Sequence, residues 1–198
     1  GIADQARFRK CGPTTELFYD CAPERQCSPT CRPGCACGRF VEIANILFIH
    51  HYIDQMTKAL VPLKTTFDET VIGVERLAMT LQGVPSVFEL ACFTPLIQHI
   101  RRSSQQHENT TTRKIGEQII ADHLRALLFL TADGAPEPGK GGRARIMRLL
   151  IRGIITQQKI LKIDGGAFIP RLIDITLDTY REKFPFLEQG KERLLSYF

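Results

Sequence analysis

The chain has 198 residues, 43% of them hydrophobic and 24% charged, a length that buries a core without disulfide help and a composition outside the disordered, collagenous and coiled-coil classes. No apolar run approaches the roughly 18 to 20 residues of a membrane helix, and Gly1–Lys10 is too polar for a signal peptide, so a cytoplasmic protein with no membrane partner is expected. The formal charge of +5 is unevenly placed: residues 1–138 carry 14 Lys and Arg against 15 Asp and Glu, whereas residues 139–198 carry 12 against 6.

In chain order, Glu16–Asp20 reads as a short strand and is followed by a loop rich in Cys, Pro and Gly. Phe40–Tyr52 alternates β-branched and aromatic residues and reads as a strand buried on most of one face or on both. His50 and His51 then point to opposite sides of it, which disfavours a shared metal. Leu60–Leu63 and Thr70–Val74 read as two further extended pieces, the second running directly into a helix over Glu75–Gln82 that Gly83 and Pro85 stop.

Beyond residue 86 the hydrophobic period becomes helical. Ser86 is expected to cap a helix ending near Arg102, residues 103–112 a loop, and Thr112–Thr131 a long helix with Ile115, Ile119, Ile120, His123, Leu124, Leu127 and Leu128 on one side. Asp133–Gly142 reads as a linker, and helices are expected over Arg143–Leu161, Pro170–Phe184 and Pro185–Tyr197. The fold class is therefore α+β, with an antiparallel sheet over residues 1–83 and an all-helical domain over 84–198.

Two features carry chemistry. Six of the seven cysteines lie in the first 37 residues, four of them in the run Cys27, Cys31, Cys35 and Cys37. Four thiolates suit a closed tetrahedral zinc site; the alternatives are reduced thiols in a Pro/Gly-rich loop or, less favoured without a signal peptide, disulfides. Cys21 can stand in for one ligand, while Cys92 reads as a small core residue. The second feature is the stretch Gly139–Lys159, with six basic residues and no acidic one. At 100° per residue Arg145, Arg148 and Arg152 fall within about 60° of one another, and Ile146, Leu149, Leu150, Gly153 and Ile154 cover another side, so an apolar stripe docks the helix and an arginine stripe remains for a polyanion.

Several segments, in order, resemble alanyl-tRNA synthetase, a class II aminoacyl-tRNA synthetase family. They are Cys11–Asp20 (CGPTTELFYD), the cysteine loop with Val41–Phe48 (VEIANILF), Thr70–Leu77 (TVIGVERL) at the family's motif 3, Ile120–Phe129 with Ala132-Asp133-Gly134, and Gly142–Arg152 (GRARIMRLLIR). The resemblance implies a partial class II catalytic sheet followed by the helical tRNA-recognition domain. It implies Asn45, Glu69, Gly73 and Arg76 as alanine and ATP contacts, and Glu16 as a metal or ATP contact or a solvated carboxylate. It also implies Lys140, Arg143, Arg145, Arg148 and Arg152 as contacts to the tRNA acceptor stem, with no DNA partner.

Departures from the family pattern bear on activity. Motifs 1 and 2, which supply the arginine gripping the ATP α-phosphate, have no counterpart in the sequence. Ala44 stands where the family has Trp, Glu69 where it has Asp, and Val71 where it has the first motif 3 glycine, so a β-branched side chain enters a place where backbone and ligand approach closely. The family's Asn that reads the G·U pair of the acceptor stem is replaced by Lys140 or a neighbouring glycine. The resemblance thus implies a truncated or degenerate relative whose expected activity is tRNA binding. ATP and Mg enter only if the site is completed. The alternatives are one chain of a split alanine–tRNA ligase, with motifs 1 and 2 on a partner, or a non-catalytic structural or regulatory interaction protein.

Overall fold

Antiparallel pairing organises the first part of the chain. The computed structural model describes residues 8–105 and 110–198, and the chain divides into two compact units, Gly1–Val87 and Phe88–Phe198. The first unit holds strands β1 (Phe8–Cys11), β2 (Thr14–Asp20), β3 (Phe40–Asp54) and β4 (Leu60–Ile72), then helix α1 (Val74–Gln82). The second is helical: α2 (Thr94–Ser103), α3 (Thr110–Ala132), α4 (Gly142–Ile160), α5 (Phe168–Tyr180) and α6 (Lys191–Leu195). The architecture is α+β, and no helix among the described residues is long and apolar enough to cross a membrane.

β3 is the centre of the sheet and pairs along both edges. β4 runs down one edge, from Ala44 opposite Ile72 to Ile53 opposite Leu60. β1 and β2 lie end to end on the other, Cys11 opposite His51 and Thr14 opposite Leu47. The break between them is Gly12-Pro13. A Cβ on Gly12 would sit 1.6 Å from the Phe48 carbonyl oxygen, while the Pro13 carbonyl accepts a 2.9 Å bond from the Phe48 N–H. Only glycine lets the backbone pass that close.

The two short extended pieces expected after residue 60 are a single strand, a correction with a local cause. The ladder shifts between Ile49, opposite Phe67, and His51, opposite Pro62, so the polar run Lys64-Thr65-Thr66 leaves the register without ending the strand. The β3–β4 turn is closed by buried Asp54, whose carboxylate accepts from the Met56 and Thr57 N–H groups. α1 ends as expected at Gly83, in the left-handed conformation at φ 65°, with the Val84 N–H reaching the Met79 carbonyl at 3.2 Å.

In the helical unit the expected helix from Ser86 instead begins at Thr94, after a short 3-10 turn at Val87–Glu89. Pro95 has no N–H to continue a helix arriving from upstream, and fits the first turn of one starting there. The expected loop over 103–112 lies partly outside the described residues; α2 reaches Ser103 and α3 begins at Thr110. α5 starts at Phe168 and stops at Tyr180, and the last segment is a 3-10 turn, Pro185–Gly190, leading into the short α6.

The buried stripe of α3 is Gly116, Glu117, Ile120, Ala121, Leu124, Leu127, Leu128 and Thr131; Ile115, expected in the core, is half exposed. The stripe is rotated by the inclusion of Glu117, an acid that hydropathy excludes from a core. Arg101 on α2 donates to it from Nε and from a terminal nitrogen at 2.7 Å, and Arg113 lies 3.5 Å away. A buried carboxylate held by two guanidiniums needs no apolar substitute. α3 and α4 approach closely through Gly116 and Gly153: a Cβ on Gly153 would lie 2.5 Å from His123 Nδ1.

Gly12→Ala is expected to cost about 1–3 kcal/mol of stability, the range for overpacking a tight contact, and to speed amide exchange at Phe48 selectively. Denaturant unfolding and hydrogen exchange measure both. Unchanged stability and unchanged protection at Phe48 would refute the close-approach account.

Candidate functional site

Three groups of residues carry chemistry, two on the sheet unit and one on the helical unit. Residues directly opposite in a ladder share a face. Asn45 is flanked by Glu16 and Val71, and its neighbour on that face, Leu47, by Thr14 and Glu69. Asn45 and Glu69 are therefore diagonal neighbours on one sheet face. The Asn45 side-chain oxygen accepts from the Thr14 hydroxyl, and Glu16 and Glu69 are exposed. Val71, directly beside Asn45, is 60% exposed, so its branched side chain stands in the open space over that face.

Gly73 and Arg76 lie at the strand-to-helix junction. Gly73 is the residue before the first turn of α1, and its N–H donates to the Ile43 carbonyl at 2.9 Å. Arg76 donates to the Glu42 carbonyl at 3.1 Å and lies 3.7 Å from the Glu42 carboxylate. The ladder shift between Leu17 and Phe18 leaves Ile43 outside the pairing, which frees this stretch of β3 to receive α1. In this structure Arg76 ties the helix to the sheet while half its side chain faces solvent.

The cysteine loop hangs between β2 and β3. Its mouth is closed by Asp20, opposite Phe40, and by a two-point ion pair in which Arg39 donates to both Asp20 carboxylate oxygens, at 2.9 and 2.6 Å. The Arg39 guanidinium holds the Asp20 carboxyl below its usual range. Inside the loop the sulfur atoms of Cys27, Cys31 and Cys35 lie within 4.8 Å of one another, and Cys31 and Cys37 Sγ are 3.7 Å apart. A tetrahedron with 2.3 Å metal–sulfur bonds has an edge of about 3.8 Å, whereas a disulfide needs about 2.05 Å. The four cysteines can hold a metal such as zinc. The Cys27 thiol is pushed up to about 11 by its hydrogen bond with Cys31 and by burial, while the backbone N–H at Cys27 draws Cys31 down. Cys21, the alternative ligand, turns away and donates to the Arg39 carbonyl at 3.1 Å, and Cys92 stands alone, half-buried. The His50 and His51 rings are 6.5 Å apart.

α4 docks by a different stripe from the one expected. Met147, Ile151 and Ile154 are its buried residues, whereas Ile146 and Leu149 are 53% and 45% exposed. Met147, counted with neither stripe from sequence, is what moves the buried side. Arg143, Arg145 and Arg152 remain exposed together with Lys140, and Arg148 is half-buried with its Nε unpartnered. Among the described residues none of these cations pairs with an acid. Arg143 also lines a small cavity of about 200 Å³ with Leu130, Ile146 and Met147.

Sequence reasoning passed over two residues. Lys159 sits seven positions after Arg152, at the azimuth of the arginines, and the same angular arithmetic identifies it. Arg39 has no such signal, because its partner Asp20 is brought near only by the strand pairing.

Comparison with known proteins adds the family. The sequence model described as "tRNA synthetases class II (A)" matches residues 2–197. A curated relative from Natranaerobius thermophilus, named alanine–tRNA ligase, is 35% identical over 92% of this chain and 21% of its own length. Relatives of the same name from Treponema pallidum and Treponema denticola are 34% and 38% identical, over 90% and 79% of this chain and 29% and 26% of theirs. The chain thus spans less than a third of the length of these relatives.

Proposed function

The chain belongs to the class II (A) family of tRNA synthetases, and from that premise we propose that it binds the acceptor stem of a tRNA through α4. The observation that carries this reading is the unneutralised basic face: Arg145, Arg148 and Arg152 on one side of the helix, Lys140 and Arg143 at its start, and no acid for 21 residues. A merely solvated helix face mixes signs. Most contacts would be to phosphates, which suits arginine's fork of donors. Each arginine engaged releases counterions, so binding to an acceptor minihelix weakens steeply with salt, and each Arg→Ala change flattens the log–log slope by roughly 0.7 to 0.9. Fluorescence anisotropy across a salt series measures this. Equal, salt-insensitive binding by parent and the triple alanine variant would defeat the proposal.

Zinc in the cysteine loop is part of the same reading. Thiolate ligation would supply fixation energy that a loop almost without buried apolar residues lacks. Protein purified reduced and without chelator is expected to carry about one equivalent of zinc, and Cys31→Ser to lose most of it. Less than a tenth of an equivalent in the parent rules the site out.

A second reading is favoured by the state of the sheet. Val71 on the Asn45 face and Leu17 and Ile72 on the opposite face are each about half exposed or more, an apolar surface that more protein would cover. On this reading a partner chain supplies motifs 1 and 2 and completes an ATP and alanine site around Asn45, Glu69, Gly73 and Arg76. Alanine-dependent pyrophosphate exchange is then absent from the chain alone and appears when that partner is added. Failure of the reconstituted pair to exchange dismisses it.

A further inference from the structure

The arginine stripe does not end at Arg152. Lys159 continues it at the same azimuth, so Arg145, Arg148, Arg152 and Lys159 form one line over 14 residues, about 21 Å at 1.5 Å per residue. At its far end lies a cleft of about 510 Å³ lined by Lys159, Lys162, Asp164, Gln158, Gln105 and Ile155. Lys159, Lys162 and Asp164 are exposed, and among the described residues none of the three is in a salt bridge. The cleft thus holds two free cations, one free carboxylate and two side-chain amides.

Its shape depends on an unusual backbone position. Lys162 has φ +50°, a conformation that residues with a Cβ rarely adopt. There the chain folds back on the helix end: the Lys162 N–H donates to the Lys159 carbonyl and the Ile163 N–H to the Gln158 carbonyl at 2.9 Å. That reversal leaves Asp164 in the cleft wall together with Lys159 and Lys162. These two bonds are the Schellman pattern that closes many helices, so the turn is fixed by the helix end itself.

We infer that this cleft is a ribose–phosphate subsite of the RNA track, in which Lys159 and Lys162 hold a backbone phosphate and Asp164 accepts a hydrogen bond from a ribose 2′-hydroxyl. The inference rests on the proposed RNA binding of α4 and deepens it. An acid in a site for phosphate alone works against the ligand. An acid beside two cations suits a ligand that offers an anion and a hydroxyl donor together, as a ribonucleotide does. The 2′-hydroxyl is the group by which a protein distinguishes RNA from DNA. Gln158 and Gln105 supply further donors and acceptors for the sugar.

The test compares an acceptor minihelix made of RNA with its DNA counterpart of the same sequence, titrated by anisotropy over a salt series. The variants are Lys159→Gln with Lys162→Asn, Asp164→Ala, and the triple Arg145→Ala, Arg148→Ala, Arg152→Ala. Asn is used at 162 because it tolerates the left-handed backbone. The lysine pair, engaging one phosphate, is expected to flatten the RNA salt slope by roughly 0.7 to 0.9. Asp164→Ala, which leaves no acceptor at this position, is expected to shrink the RNA-over-DNA preference roughly five-fold, the worth of one hydrogen bond, by weakening RNA or strengthening DNA binding. Thermal unfolding of each variant confirms that the fold is intact. If the arginine triple flattens the slope while the lysine pair leaves it unchanged, or if Asp164→Ala keeps the RNA preference, the subsite is wrong and the RNA reading stands. If the parent binds neither nucleic acid, both fall.

Discussion

Pairing of β3 along both edges is the constraint on which the sheet unit depends. With β4 on one side from Ala44 to Ile53 and β1 and β2 in line on the other, this long strand is paired along most of both edges, with shifts at Ile43 and His50. Those departures are where other parts of the molecule attach. The Ile43 carbonyl receives Gly73 and thereby fixes the start of α1, and the passage of Gly12 over Phe48 joins two short strands into one edge. Asn45, Glu69 and Val71 have their relative positions because of this ladder, and none of them is held by a core.

The helical unit is governed by a different balance. Its interior accepts one acid, Glu117, at the cost of engaging Arg101 and Arg113. α4 meets that interior with Met147, Ile151 and Ile154 and keeps its cations for the outside. Cations without partners repel one another and gain nothing for the fold, so a helix that already docks well by another side bears them as an unneutralised positive face. The exposed Ile146 and Leu149 alongside them give the same surface an apolar margin.

Much of this was legible in the sequence, and the failures have physical reasons. β3 and α1 announced themselves through alternation and through the Gly83 stop, both local signals. The arginine stripe was legible because it needs only the helical period. The docking side of α4 was misjudged because Ile146, Leu149 and Leu150 outweigh Met147 in hydropathy, although packing against α3 decides. Ile115 and Glu117 were exchanged for the same reason: burial of Glu117 follows from guanidiniums contributed partly by another helix, which no local pattern reveals. The Pro95 start of α2 was readable from proline's missing N–H, and the apolar residues before it masked the signal. The cysteine cluster was evident from spacing, whereas its exclusion of Cys21 depends on the Arg39 carbonyl, a tertiary partner.

The ion pair between Asp20 and Arg39 has a further consequence for how the cysteine loop behaves. Because strand pairing and this pair already bring the loop's two ends together, the entropy of closing the long loop is met by the sheet. Whatever the sulfur atoms bind has only to order the few residues between successive cysteines. The loop is in that sense a separate cooperative unit, able to lose its internal order without drawing β2 and β3 apart. A metal held by these cysteines would then be exchanged or lost while the rest of the sheet keeps its shape.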